Sequence, residues 1–216
     1  MRPAIVLFAK APVSGQVKTR LTDRLGAKAT LALHEAFVLD MLDKLLKLNS
    51  IADIELHTDT ETDVWGRPQV TCATQSAGDL GLKMLHALQT ALDRGCERVC
   101  IVGSDAPTLP VAHIEALLSS SADVALGPCE DGGYYAIACR RTHPQMFRGV
   151  EWSSARALAQ TEEAARRCGL SVNRGPEWYD VDRPEDLVRL EREDQLPAHT
   201  RCWFDGKREL LARTEK

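Results

Sequence analysis

The sequence has neither an excess of one charge nor a long apolar run. Its 27 lysines and arginines and 31 acidic residues leave a formal charge of -4. General binding to nucleic acid or to a membrane surface is therefore not expected. The apolar runs are far too short to span a bilayer, and the first three residues lead directly into a predicted strand rather than a signal peptide. We expect a cytoplasmic protein without a membrane partner.

Paired cysteine motifs are also missing. The seven cysteines are an odd number and form no Cys-x-x-Cys pair, and the six histidines are scattered. A zinc site needs clustered ligands, and cysteines in apolar strand-like runs behave as small hydrophobes. The pattern predicts reduced, structural thiols.

The chain's length and composition suit one globular α/β domain. It has 216 residues, of which 44% are hydrophobic and 27% charged, and no linker-like stretch divides it. We expect a single domain over residues 1–195. Residues 196–216 form a polar tail that either packs on the domain through Trp203 and Phe204 or is partly mobile.

The most informative stretch is RVCIVGSDAPTLP, residues 98–110. Its apolar run predicts a strand of a parallel sheet that is buried on both faces, with Asp105 directly after it. Ligands of open α/β sheets bind at the carboxyl ends of the strands, where a carboxylate can hold a divalent cation against phosphates. The alternative is that Asp105 only caps an Asp-x-Pro turn.

A basic loop follows the first predicted strand, residues 4–9. Residues 10–20 carry Lys10, Lys18 and Arg20 for neutralising phosphates, and Gly15 for close approach to a ligand. The spacing is neither that of a Walker A loop nor that of a Rossmann GxGxxG motif. The alternative is a solvated basic loop.

Two turns are candidates for contact with a second substrate. Gly78 and Asp79 precede a predicted helix; Asp79 suits an N-cap, and the glycine could let a ligand reach backbone N–H groups. In the second turn, the stretch from Glu130 to Gly133 predicts a hairpin between residues 124–126 and 134–138, and such a turn can also face a substrate.

Two further helix starts combine a structural and a functional interpretation. Ser153 or Ser154 is predicted to cap a helix that ends near residue 168, where a helix N-terminus could also contact an anion. Asp182 and Glu185 flank Pro184 in the spacing of a capping box. Alternatively, Asp182 is a second carboxylate for the cation at Asp105.

Five segments in fixed order carry a resemblance: FAKAPVSGQVKTRL, AGDLGLKM, VGSDAPTLP, LGPCEDGGYYAI and WYDVDRPEDL, with EWSSARALAQT between the last two. Together they resemble the bacterial family of CofC-like, radical-SAM-associated transferases, which are similar to nucleotide-diphospho-sugar transferases. The resemblance covers residues 4–190. It implies a Rossmann-like GT-A fold, with a mostly parallel central sheet, helices on both faces, and a nucleotide at the carboxyl ends of the amino-terminal strands.

The residue patterns above and the resemblance together suggest roles for particular residues. Asp105 would bind Mg²⁺ or Mn²⁺, and Asp182 would complete the metal site. Lys18, Asp105 and Asp131 are the predicted catalytic residues. The nucleotide and its phosphates would lie against Lys10, Gly15, Lys18, Arg20 and Ser104. The acceptor side would comprise Gly78, Asp79, Glu130, Gly132, Gly133, Ser153 and Ser154.

Three functions remain open from the sequence. The first is metal-dependent transfer of a nucleotidyl group from a nucleoside triphosphate to a small phosphorylated or sugar-like acceptor, which three cations in one loop favour. The second is a glycosyltransferase that uses a nucleotide sugar, although the central strand is not followed by the Asp-x-Asp motif that most glycosyltransferases of this fold carry there. The third is a non-catalytic nucleotide-binding module. The base, the acceptor and the oligomeric state are not predicted.

Overall fold

The computed structural model of the protein describes residues 2–67 and 69–214. The strands are β1 (Ala4–Ala9), β2 (Asp53–Thr58), β3 (Thr71–Thr74), β4 (Val99–Gly103), β5 (Val124–Pro128), β6 (Tyr134–Cys139) and β7 (Val172–Arg174). The helices are α1 (Thr19–Leu25), α2 (Ala27–Leu46), α3 (Leu80–Asp93), α4 (Val111–Leu118), α5 (Ala157–Arg167), α6 (Pro184–Glu191) and α7 (Ala198–Thr214).

The strands form one sheet in the order β3-β2-β1-β4-β6-β5-β7. β6 is antiparallel to both of its neighbours, and every other neighbouring pair is parallel. The predicted α/β class and mostly parallel sheet are therefore confirmed. So is the hairpin, since β5 and β6 pair through residues 124–128 and 134–139.

Alternating side chains of β1 explain why helices cover both faces of the sheet. Ile5 and Leu7 point into the apolar cluster under α2 and α4. Val6 and Phe8 point into the opposite cluster, under α3 and α5. All six residues of β1 are buried, as expected for a central strand whose two faces are both packed.

The segment after residue 196 folds back as α7 and packs on α2. The carboxylate of Asp40, on α2, accepts hydrogen bonds from the backbone N–H groups of His199 and Thr200 at 2.9 and 2.8 Å, so it caps the start of α7. Phe204 is buried in a third apolar cluster with residues of α1, α2 and α6. Trp203 donates a hydrogen bond from Nε1 to the carbonyl of Ala29 at 3.0 Å.

Of the three predicted helix starts, one is confirmed and two are wrong in detail. Asp79 is the N-cap of α3 and accepts a hydrogen bond from the N–H of Leu82 at 2.9 Å. By contrast, α5 begins at Ala157, and its N-cap is Arg156 rather than a serine. Ser154 instead accepts from the N–H of Arg156 at 3.2 Å, in the turn before the helix.

The predicted capping box of α6 is shifted by one residue. The carboxylate of Asp186 accepts hydrogen bonds from the N–H groups of Asp182 and Arg183 at 3.0 and 2.7 Å, so Asp186 takes the part predicted for Glu185. Arg183 is the N-cap and Pro184 is the first helical residue, as proline prefers. The side chain of Asp182 is thereby left out of the cap.

Strand direction gathers three connections at one rim of the sheet. β1, β4 and β5 are parallel, so their carboxyl ends meet there. The turn between β5 and β6 lies at the same rim because β6 runs the opposite way. In the part of the chain that the structure describes, none of the helices combines the length and apolarity needed to cross a membrane.

Candidate active site

A cavity of about 720 Å³ opens at this rim of the sheet. Its size lies within the range of small-molecule sites. The loop after β1, the end of β4, the β5–β6 turn and the segment before α6 all contribute to its wall. Predicted site residues in the lining are Lys10, Lys18, Arg20, Ser104, Asp105, Asp131, Gly133, Ser153, Ser154 and Asp182.

Lys18 is the buried cation of the cavity. Its side chain is 3% exposed, and Nζ lies 2.5 Å from Oδ1 of Asp105 and donates to the carbonyl of Val181 at 2.7 Å. The backbone of Lys18 has φ 46°, in the left-handed region that residues other than glycine seldom adopt. The ion pair with Asp105 and the bond to Val181 hold the side chain in place, so the loop is ordered at this residue.

The ion pair determines the charge of Asp105. Burial by itself would raise the pKa of this carboxyl. The ammonium of Lys18 and a weak hydrogen bond from the Ser104 hydroxyl, 3.4 Å away, outweigh that effect and lower the pKa below its usual value. Asp105 is therefore a carboxylate at neutral pH. Only Oδ1 is engaged by Lys18, which leaves Oδ2 for another partner.

A second group of possible ligands lies beside this pair. Cys129, Asp131 and Asp180 each place one ligand atom within 4.8 Å of the other two. The N–H of Gly133 donates to Asp131 at 2.8 Å, which fixes that carboxylate within the turn. The acids of this group are brought together from residues 131 and 180, nearly fifty positions apart in the sequence.

Backbone hydrogen bonds hold the three acid-bearing segments together. The N–H of Val181 donates to the carbonyl of Asp105 at 2.8 Å, and the N–H of Glu130 donates to the carbonyl of Trp178 at 3.1 Å. Cys129 also forms an isolated bridge with Trp178. The segment before α6 therefore lies between the end of β4 and the hairpin turn, with Asp180 at the junction.

Asp180 has an unusual protonation equilibrium. Burial, followed by the nearby carboxylates of Asp131 and Asp105, raises the pKa of Asp180 to about 6. The acid cluster therefore contains more negative charge than Lys18 neutralises. A site of this kind, made of carboxylate oxygens, suits a divalent cation.

Asp180 was not selected from the sequence, although a signal was present. Buried Tyr179 and Val181 alternate with Asp180 and Asp182, so an extended segment places both acids on its other face. The acid selected, Asp182, lines the cavity but forms an ion pair with Arg20. It is Asp180 that lies against Asp105 and Asp131.

The remaining cations surround the acids. Lys10 lines the cavity and donates to the carbonyl of Gln16 within its own loop at 3.1 Å. Lys83, from the first turn of α3, and Arg183 also line the cavity, and neither was selected from the sequence. Lys83 belongs to the AGDLGLKM segment, so its position next to a helix start was the available signal.

Five predicted residues lie outside the cavity lining as the described residues define it: Gly15, Gly78, Asp79, Glu130 and Gly132. Glu130 faces away and accepts two hydrogen bonds from Arg189, at 2.6 and 3.0 Å, which tie the hairpin turn to α6. Asp79 caps α3, and Gly15 has φ 78° in a turn. Their positions support the structural interpretations of these residues.

Gly132 has a steric reason to be glycine. Its φ is 88°, and a Cβ there would lie 2.1 Å from the carbonyl oxygen of Ala155. We expect Gly132→Ala to lower the free energy of unfolding by about 2–4 kcal/mol, because strain and a backbone clash add. Urea denaturation measures this loss. Gly149→Ala is a control, since it has a similar φ of 81° but open space around its Cβ; equal losses in the two variants would contradict the steric argument.

Asp180 offers a prediction about pH. Its pKa of about 6 in the folded state exceeds the value near 3.9 of an unfolded chain, so the folded protein binds more protons between these values. Stability therefore falls as pH rises from about 4 to 6. In the absence of metal, Asp180→Asn is expected to raise the free energy of unfolding by about 1–2 kcal/mol at pH 8, and by little at pH 4.

Denaturation curves at the two pH values test this prediction. Asp23→Asn, at an exposed position of α1, is the control and should show no such pH-dependent gain. A loss of stability in Asp180→Asn at both pH values would show that the acid stabilises the fold.

The protein has the fold of nucleotide-diphospho-sugar transferases. A solved structure described as a putative nucleotide-diphospho-sugar transferase from Desulfovibrio desulfuricans G20 is 33% identical, covers 99% of this chain and 98% of its own, and superimposes with a TM-score of 0.86. A cytidylyltransferase from Leptospira borgpetersenii has the same fold at 14% identity, with a TM-score of 0.56 over 98% of this chain and 96% of its own.

The chain belongs to the family DUF2064, described as uncharacterized protein conserved in bacteria, whose model matches residues 40–154. Among curated proteins, the 2-phospho-L-lactate guanylyltransferase of Methanosarcina mazei is 28% identical over 80% of this chain and 82% of its own length. The predicted resemblance to CofC-like transferases is thereby confirmed, and so are the Rossmann-like fold and the transferase class. The protein is nucleotidyltransferase-like.

Proposed function

We propose that the protein transfers a nucleotidyl group from a nucleoside triphosphate to a small phosphorylated acceptor in a metal-dependent reaction, with release of pyrophosphate. One observation carries the proposal: a single cavity contains both the cations of the first loop and the carboxylates of Asp105, Asp131 and Asp180. Cations offset the charge of a triphosphate, and carboxylates hold its metal. The guanylyltransferase relatives, named for the acceptor 2-phospho-L-lactate, support a phosphorylated acid as the acceptor class.

The first loop would bind the triphosphate. Lys18, fixed by Asp105 and Val181, is suited to a defined contact with one phosphate. Arg20, half exposed, and Lys10 have more freedom and would neutralise the outer phosphates. Ser104, directly after β4, completes the proposed phosphate side. Such positioning and charge compensation supply most of the rate enhancement in phosphoryl-type transfers.

The acids fit Mg²⁺ or Mn²⁺. The free Oδ2 of Asp105 and the carboxylate of Asp180 are the proposed ligands. Asp182 would join them once a phosphate of the substrate replaces it as the partner of Arg20. A bound divalent cation would supply electrophilic assistance to the leaving pyrophosphate. The excess negative charge that raises the pKa of Asp180 supports this assignment.

The acceptor would approach from the hairpin side. Asp131, Gly133, Ser153 and Ser154 line that part of the cavity. The hydroxyl group of Ser153 can bind an anionic acceptor, whereas that of Ser154 already donates to the carbonyl of Glu151 at 2.7 Å. Asp131, held by the N–H of Gly133, would orient the acceptor for in-line attack on the α-phosphorus through the bound metal ion, since its own carboxylate repels an anionic acceptor. An acceptor phosphate is already ionised at neutral pH, so attack needs no general base.

The test is to incubate the purified protein with each nucleoside triphosphate, Mg²⁺ or Mn²⁺ and a panel of small phosphorylated acids. Release of pyrophosphate that depends on the acceptor is the expected result. Release of a nucleoside diphosphate from nucleotide sugars would instead indicate a glycosyltransferase. Metal-dependent binding of a nucleotide, seen as a rise in Tm, with no product from any donor would indicate a binding module.

A further inference from the structure

Cys129 is the residue of the cavity whose chemistry the proposed reaction does not use. It follows the last residue of β5, is 5% exposed, and lines the cavity together with Asp131 and Asp180. Among the described residues, none forms a disulfide or a hydrogen bond with its Sγ. Its side chain borders the apolar cluster under α2 and α4 on one side and the two carboxylates on the other.

The backbone holds Cys129 firmly in this position. Its N–H donates to the carbonyl of Gly133 at 3.0 Å, across the hairpin turn, and its isolated bridge to Trp178 ties it to the segment that carries Asp180. The same turn carries Asp131. All three donor atoms are therefore attached to one hydrogen-bonded unit, and they lie within 4.8 Å of one another. Small side-chain rotations bring atoms at this spacing onto one ion.

We propose that Cys129, Asp131 and Asp180 together bind one divalent cation, with the thiolate of Cys129 as a direct ligand. The inference rests on the proposed function in placing a metal at Asp180: the ion is the one proposed between Asp105 and Asp180, and Cys129 and Asp131 are added to its ligands. Asp105 has one carboxylate oxygen occupied by Lys18, whereas among the described side chains none forms an ion pair with Asp131 or Asp180. This group is thus the better-prepared position for an ion.

The sulfur predicts which ions the site prefers. Mg²⁺ takes oxygen ligands in a strict octahedral geometry and is a poor partner for a thiolate. Softer ions accept one sulfur together with two carboxylates, and affinity at such sites rises from Mn²⁺ to Co²⁺. We therefore expect the protein to bind Mn²⁺, Co²⁺ or Zn²⁺ more tightly than Mg²⁺. Binding releases the thiol proton to solvent.

Cobalt provides a readout that is independent of activity. Titration of the metal-free protein with Co²⁺ should produce a thiolate-to-cobalt charge-transfer band in the near ultraviolet, which saturates at one equivalent. Cys129→Ser should abolish the band and weaken Co²⁺ binding, measured by calorimetry, by at least about ten-fold. The double variant Cys72→Ser/Cys202→Ser, at two exposed cysteines, is the matched control and should retain both.

The outcomes separate cleanly. Failure of the wild-type protein to give the band, or persistence of the band in Cys129→Ser, would overturn the proposal. So would loss of the band in the double variant with retention in Cys129→Ser. If Cys129→Ser does not fold, Cys129→Ala and the wild-type titration provide the same decision. The assay contains no nucleotide, so a missing pyrophosphate product would contradict the proposed function and leave the metal result unaffected.

Discussion

Asp105→Asn is expected to lower the rate of nucleotidyl transfer by about 10²–10³ while the protein remains folded. The substitution keeps the shape of the side chain but removes the charge that faces both Lys18 and the proposed metal. An amide oxygen still accepts a hydrogen bond from Lys18, so the expected loss of stability is about 1–3 kcal/mol. The rate effect is larger because charge compensation at the transferring phosphoryl group depends on a fixed carboxylate in a sheltered cavity.

The loop that carries Asp105 should keep its conformation in this variant. The N–H of Val181 donates to the carbonyl of residue 105, and Lys44 donates from α2 to the carbonyls of Pro107, at 2.8 Å, and Leu109. None of these bonds involves the carboxylate. Single-turnover rates with saturating metal measure the loss of rate, and circular dichroism measures whether the variant remains folded. Asp23→Asn is the control acid, and a turnover in Asp105→Asn close to that of the control would remove Asp105 from the proposed site.

Lys18→Met is expected to cause a loss of similar size, about 10²–10³ in kcat/KM, with the larger part in KM for the triphosphate. Methionine keeps the length and apolar character of the side chain but loses the cation–π contact of Nζ, which lies 4.9 Å from the centre of the Phe37 ring. It removes the ammonium that binds Asp105 and, in our proposal, a phosphate. Lys28→Met, at an exposed position of α2, is the control for the loss of one positive charge.

The variant should also change the dependence of the rate on pH. The pKa of Asp105 is held down by Lys18, and burial acts in the opposite direction. When the ammonium is absent, its lowering effect is lost and the pKa of Asp105 rises, so the active carboxylate is lost at a higher pH. The acidic limb of the pH–rate profile should move upward in Lys18→Met and stay in place in Lys28→Met. An unmoved limb would show that the two residues do not act as a pair.

Local patterns predicted those parts of the fold that depend on local physics. The apolar runs of β1 and β4 predicted buried strands because each needs only its own two faces covered. The turn before Gly133 predicted a hairpin, and Asp79 predicted an N-cap, for the same reason. The predicted start of α5 was wrong because Ser154 forms its hydrogen bonds within the preceding turn, with Glu151 and Arg156. That turn depends on the path of the chain from residue 151.

The candidate site was predicted only in part, since its geometry depends on long-range contacts. The acids at positions 105, 131 and 180 meet because the segments that follow β4, β5 and β7 reach the same rim of the sheet. The spacing of these residues in the sequence does not indicate how close they are in the fold. Asp182 was selected and Asp180 was not. The alternation of both acids with the apolar Tyr179 and Val181 was a signal that would have added Asp180 as a second candidate. The depth of Lys18 could not be predicted, because its burial results from packing beneath the segment before α6.

The single reversed strand has an evolutionary consequence. Because β6 returns in the opposite direction, Asp131 and Gly133, on the hairpin side of the cavity, belong to one short turn that is separate from the loop carrying Lys18. Substitutions in that turn can therefore alter which small molecule is accepted while the triphosphate contacts are inherited unchanged. Diversification of such a fold would proceed by exchanging one tight turn, with the rest of the scaffold conserved.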